Sequence, residues 1–182
     1  MPQTELGKAL IALARGAIAE RFGLNGSAAI AHEALGRPGA TFVTLTQQGR
    51  LRGCIGSLEA HRALGHDVRE NALAAAFRDP RFSPLAAGEF GITRVEVSLL
   101  TAPEPMVFDD EVHFMAQLRP GFDGIVFQYG RHRSTFLPQV WESLPEPNQF
   151  MQQLKRKAGL PPDFWHETVS IARYEVTKWK ET

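Results

Sequence analysis

At 182 residues the chain fits one domain, or two intimately joined halves, and can bury roughly 70% of its unfolded surface. Twenty basic residues balance twenty acidic ones, so no global field draws the chain to nucleic acid or to anionic lipid. One cysteine excludes an internal disulfide, no apolar run approaches the ~20 residues that span a bilayer, and the N-terminal "ALIALA" lacks a cleavage site; a cytoplasmic protein that binds neither membrane nor nucleic acid is expected.

In "TELGKALIALARGAIAERFG", Leu6, Leu10, Leu13, Ala14, Ala17 and Ile18 fall at helical spacing, with Thr4 as N-cap and Gly23 as the stop. A second short helix is predicted from Ser27 to Leu35, ended by Gly36. "TFVTLTQQGRLRGCIGSL" reads as two strands around a turn at Gln48-Gly49, supported by Phe42, Val43, Thr44 and Thr46. "HDVRENALAAAFRDP" is a helix with Asp67 as its cap and Pro80 as its end. "VEVSLL" is a strand and "APEP" a rigid break. "GIVFQYGRHRSTFLP" is again a strand pair around a glycine turn, "NQFMQQLKRKAGL" a helix, and "SIARYEVTKW" a strand.

A shift of 81 residues superposes the two halves. Gly49-Arg50-x-Arg52 falls on Gly130-Arg131-x-Arg133, Asp67 on Asn148, Leu73 on Leu154, Pro80 on Pro161 and Val95 on Val176. The pattern predicts an α+β fold of duplicated strand–strand–helix–strand units, about 40–100 and 121–180. These share one curved sheet with helices outside, and with the N-terminal helices at 4–35 they make a single domain over 1–182. The position of Cys54 is taken by Thr135 in the second copy, so the repeat does not itself demand a thiol.

Strand alternation puts Arg52, Cys54 and Gly56 on one face. An arginine beside a thiol favours the nucleophilic thiolate, and Gly53 and Gly56 leave backbone accessible. Cys54 is therefore a candidate nucleophile; equally, free cysteine is among the most buried residue types and glycines in strands mark close packing. No nearby histidine can be assigned as a base. Metal-binding spacings and phosphate or dinucleotide glycine loops are absent, so neither metal nor cofactor is expected. The "FDDE" run at 108–111 reads as a solvated turn. The arginines of the first half could grip a carboxylate or phosphate.

The run "GRLRGCIGSLEAHRALGHDVRENALAAAFRDPRF", residues 49–82, resembles the AMMECR domain family, whose hallmark "LRGCIG" stands intact at 51–56. "DPRF" at 79–82, "VEVSLL", "DGIVFQYG", "TFLPQVW" and "KAGL" also resemble that family in order. The resemblance implies a duplicated α+β fold with a barrel-like sheet and a cleft lined by the hexapeptide. It implies as partners a Memo-like protein and a radical S-adenosylmethionine enzyme, the AmmeMemoRadiSam set, and it implies no particular reaction. Its candidate site residues are Arg52, Gly53, Cys54 and Gly56, with Asp79 and Arg81 from "DPRF". The expectation is an enzyme or enzyme component handling a small anionic molecule; the alternative is a non-catalytic adaptor whose cleft docks a partner protein.

Overall fold

The structure is a computed structural model that describes residues 4–26 and 28–182. The strands pair into two four-stranded sheets, and the chain divides into two compact units. One unit runs through Leu100 and takes in the chain again from Thr177; the other is Thr101–Val176.

In the first unit, α1 (Glu5–Arg21) starts at Thr4, whose hydroxyl accepts the Gly7 N–H at 3.1 Å. Its apolar face buries Leu10, Ala14, Ala17 and Ile18, and Gly23 follows with φ +70. Of the second predicted helix, Ser27 lies outside the described residues, 28–32 are irregular, and only a 3₁₀ turn, Glu33–Gly36, is formed. Then come β1 (Ala40–Gln47), β2 (Arg50–Gly56), α2 (Leu64–Phe77) and β3 (Thr93–Leu100). With the last strand, β8 (Val176–Lys180), the sheet order is β2-β1-β3-β8. Every second residue of β1 and β3 (Val43, Leu45, Val95, Val97) packs into one core with α1 and with Val68, Ala72 and Ala76 of α2.

The second unit holds β4 (Glu104–Pro105), α3 (Glu111–Gln117), β5 (Gly124–Tyr129), β6 (His132–Phe136), α4 (Pro147–Lys157) and β7 (Ser170–Tyr174), in the order β4-β7-β5-β6. Its core is aromatic: Phe114, Phe127, Trp141 and Phe150, with the Trp141 and Phe150 rings stacked 3.8 Å apart.

The duplicated α+β plan is present, because hairpin β1–β2, helix α2 and strand β3 correspond to β5–β6, α4 and β7, with orders β2-β1-β3 and β6-β5-β7. Several particulars differ. The strands form two sheets rather than one shared sheet. "SIARYEVTKW" is two strands that divide at Glu175, β7 in one sheet and β8 in the other, so the partner of β3 in the repeat is β7 and Val176 does not match Val95. "APEP" contains β4, which pairs with β7. The "FDDE" turn ends in a helix start, with Asp110 accepting the His113 N–H at 2.8 Å.

Asp67 is not the cap of α2, and its repeat counterpart Asn148 is not the cap of α4. α2 starts after Ala63 and α4 after Glu146. Asp67 is instead a fully buried hub inside the first turn of α2. It accepts the Thr41 N–H and hydroxyl, the Ser57 hydroxyl, Arg62 Nε and the Asn71 amide, at 2.7 to 3.0 Å. A carboxylate can stand there only because each lone-pair direction is filled.

Candidate functional site around Cys54

The turn between β1 and β2 has two residues, Gln48 (φ 50) and Gly49 (φ 77), both left-handed, as a tight hairpin of the strands' own twist requires. From this turn Gln47 pairs with Arg50 and Thr46 with Leu51. The register then slips: Leu45 pairs with Gly53 and Thr44 with Cys54, so Arg52 is an extra, bulged residue. Without the bulge, the turn register would set Cys54 opposite Val43, a fully buried core residue. With it, Cys54 stands opposite Thr44 on the other face, half-buried, its Sγ 3.2 Å from Thr44 Oγ1. Thr44 in turn pairs with Glu96 of β3, which is bridged to Lys180 Nζ at 3.1 Å. Cys54, Thr44 and Glu96 thus form one row across the sheet.

The "DPRF" segment closes the outer edge of β2 at this point. Asp79 Oδ2 accepts the Cys54 N–H at 2.9 Å, and Arg81 Nη2 donates to the Cys54 carbonyl at 3.3 Å. Asp79 and Arg81 are themselves locked together: Arg81 Nε and Nη2 donate to the two Asp79 oxygens at 3.0 and 2.8 Å, and the Arg81 N–H adds a third bond. Asp79 is buried, whereas the Arg81 side chain is 55% exposed. Hydrogen bonds from Arg81 above all, then the Cys54 and Arg81 backbone N–H groups, hold the Asp79 carboxyl well below the usual carboxylate range despite burial. An edge strand whose outward N–H and C=O are both taken is unavailable there to another strand.

Arg52 does not serve the thiol as strand alternation predicted. Its guanidinium grips Glu89 in a fork, Nε to Oε1 at 3.0 Å and Nη2 to Oε2 at 3.1 Å. Glu89 also accepts the Ala86 N–H and Gln47 Nε2. Arg52 first, with the Ala86 N–H and Gln47 behind it, lowers the Glu89 carboxyl to about 2. Arg52 Nη1 is buried without a hydrogen-bond partner.

The two motif glycines are there for close approach, since neither has positive φ. A Cβ on Gly53 would run into the Ala75 carbonyl oxygen of α2, and one on Gly56 into the Phe42 ring.

The second unit shows what this geometry is without the thiol. Its turn, at Gly130-Arg131, is followed by unbroken pairing of β5 with β6. Arg133 pairs with Gln128 as Leu51 does with Thr46, so Arg133 corresponds to Leu51 and Arg52 has no counterpart. Thr135 does correspond to Cys54, and its row is Thr135, Val126 and Ala172. Thr135 Oγ1 is bonded to the Tyr174 hydroxyl at 2.9 Å, and Lys157 Nζ donates to its carbonyl at 2.9 Å, as Arg81 does for Cys54. The cation on the edge carbonyl belongs to both repeats; Cys54 with Glu96 belongs to one.

The histidine rings of His32, His113, His132 and His166 bond Ala34, Asp109, Ala158 and Thr168, and His61 and His66 are exposed. Among the described residues no three His, Cys, Asp or Glu side chains are grouped to hold a metal ion, and no helix is long and apolar enough to cross a membrane. The structure therefore brings Cys54, Asp79 and Arg81 together, places Gly53 and Gly56 beside them, and turns Arg52 to Glu89. Thr44, Glu89 and Glu96 escaped the sequence reading. The available signal was the two-residue turn, from which pairing can be counted, but the bulge makes that count wrong by one.

The family model described as AMMECR1 matches residues 11–179. A protein of Sulfolobus acidocaldarius is 35% identical over 97% of this chain and 82% of its own length, and one of Methanothermobacter thermautotrophicus is 37% identical over 77% of this chain and 74% of its own. The crystal structure of an uncharacterized protein from Pyrococcus horikoshii is similar with a TM-score of 0.78 at 29% identity, over 97% of this chain and 92% of that one.

Proposed function

The chain belongs to the AMMECR1 family, and from that premise we propose that it is an enzyme or enzyme component that holds a small anionic molecule in a cleft lined by the 51–56 hexapeptide. In this reading the chain works in the cytoplasm within an AmmeMemoRadiSam-type set, beside a Memo-like protein and a radical S-adenosylmethionine enzyme. The observation that carries it is the clamp of Asp79 and Arg81 on the backbone of Cys54. The clamp holds the strand still on both sides of the thiol and leaves a largely exposed guanidinium beside it. Arg81, held to Asp79 through Nε and Nη2, would meet an anion with the exposed remainder of its guanidinium, and Cys54 supplies a soft group that would touch or attack it. Gly53 and Gly56 set the strand's depth between α2 and the Phe42 ring. The bulged Arg52 fixes which face the thiol is on, and Glu89 fixes Arg52.

A second reading, a non-catalytic adaptor, is favoured by Leu51 in the hexapeptide and Leu58 just after it, each 44% exposed. Alkylation of the native protein by iodoacetamide at neutral pH separates the two. Thiol chemistry requires Cys54 to react in the folded state and small carboxylates or phosphate to slow that reaction. A Cys54 that reacts only on unfolding overturns it.

A further inference from the structure

We propose that the second unit carries a binding site for a free α-amino acid, in the groove between α3, α4 and the turn at Pro162–Asp163. The groove has a volume of about 190 Å³. Asn148, Met151, Gln152 and Lys155, at i, i+3, i+4 and i+7, present one face of α4 to it, with Glu111 and Met115 of α3 across from them.

The feature that calls for a ligand is Lys155. Its side chain is only 3% exposed, yet it stands among Phe150, Met151 and Leu154, where an apolar residue would serve packing better. Taking an ammonium out of water costs several kcal/mol unless it is paired. Lys155 Nζ donates to Glu111 Oε1 at 2.7 Å and lies 5.6 Å from the centre of the Trp165 ring. An ammonium has three N–H bonds, so others remain to meet a guest in the groove.

The charges around the groove select the guest. Lys155 is positive, while Glu111 and Asp163 are negative. A simple anion drawn to Lys155 would face two carboxylates, and a simple amine drawn to the carboxylates would face a buried ammonium. A zwitterion satisfies both signs at once: its carboxylate on Lys155 and the Gln152 amide, its ammonium on Asp163 and Glu111. The thioethers of Met115 and Met151, which adapt to irregular apolar shapes, would take an apolar side chain. The space equals roughly six water molecules, which suits an amino acid the size of methionine or leucine.

The test is calorimetric titration of the full chain with L-methionine, N-acetyl-L-methionine, which lacks the ammonium, and L-methioninamide, which lacks the carboxylate. L-Methionine is expected to bind, and each derivative to bind about tenfold more weakly, since each loses a charge-assisted contact. Lys155→Met and Asp163→Asn should weaken L-methionine to a similar degree; Asp163 is exposed, so its variant tests the site even if Lys155→Met misfolds. No binding of L-methionine or L-leucine up to about 10 mM overturns the proposal. Equal binding of either derivative, or unchanged binding by Asp163→Asn, overturns it too. None of these outcomes touches Cys54, so the reading of the first unit stands or falls separately.

Discussion

Cys54 stands directly across from Thr44, with Sγ and Oγ1 3.2 Å apart, because one extra residue, Arg52, separates it from the register that the turn dictates. A single-residue insertion thereby moves a thiol from the core side of a strand to the polar side. The arginine that reaches Cys54 is consequently Arg81, through the backbone, and the bulged Arg52 is engaged elsewhere.

The rate of Cys54 alkylation at neutral pH should fall in Arg81→Gln and stay near wild type in Arg52→Gln and Arg133→Gln. Arg81 is the guanidinium in contact with the Cys54 carbonyl, whereas Arg52 is turned to Glu89, and Arg133 lies on a strand that carries no thiol. A drop in the Arg52 variant alone would contradict this assignment.

Asp79→Asn should lower stability by roughly 2–3 kcal/mol, the worth of hydrogen bonds to a buried charge, as urea unfolding would measure. The substituted amide keeps one acceptor oxygen for the Cys54 N–H but loses the fork with Arg81. Because Arg81 is largely exposed, the freed guanidinium finds water, which keeps the loss below that of a fully buried pair.

Acid should weaken the first unit through two carboxyls. Glu89 is lowered from 4.5 to about 2 in the folded chain, and Asp79 is lowered from 3.8 by Arg81 and two backbone N–H groups. A depressed folded value means stability that is fully present above the unfolded value and lost as pH falls through the folded one. Denaturation midpoints should therefore decline as pH drops from about 4.5 toward about 2. Glu89→Gln should be less stable than wild type at neutral pH and converge with it across that range. A constant gap would assign the loss elsewhere.

Gly53→Ala should destabilise by roughly 2–3 kcal/mol, the cost of forcing a methyl into a packed contact, because the obstacle is a backbone atom, the Ala75 carbonyl oxygen in the last turn of α2. Gly56→Ala should cost roughly 1 kcal/mol, since the Phe42 ring can turn aside. Thermal unfolding of the two variants gives the order directly; equal losses would show that α2 yields as easily as a ring.

Gln48→Asn should stabilise by a few tenths of a kcal/mol to about 1 kcal/mol. Gln48 sits at φ 50, a conformation asparagine tolerates better than glutamine, and Asn-Gly is the favoured pair for this turn.

From the sequence alone came the α+β plan, α1 with its Thr4 cap, both hairpins, α2 and α4, the duplication, and the family through "LRGCIG". These depend on local spacing, turn chemistry and motif identity, all of which are written in neighbouring residues. The tertiary structure decided everything that depends on pairing. Counted along the chain, Arg52 matches Arg133 and shares a face with Cys54; in the sheet, the bulge leaves Arg52 without a counterpart and sends its side chain to Glu89, 37 residues away. Asp67, at a position suited to a cap, became a buried hub because Thr41 and Ser57 arrive from the hairpin to fill its lone pairs. The last strand divided between two sheets at Glu175, which no period of two can signal. Strand alternation specifies faces only while the register is continuous, and register is set by the partner strand, so the face of Cys54 could be known only once β1 lay beside β2.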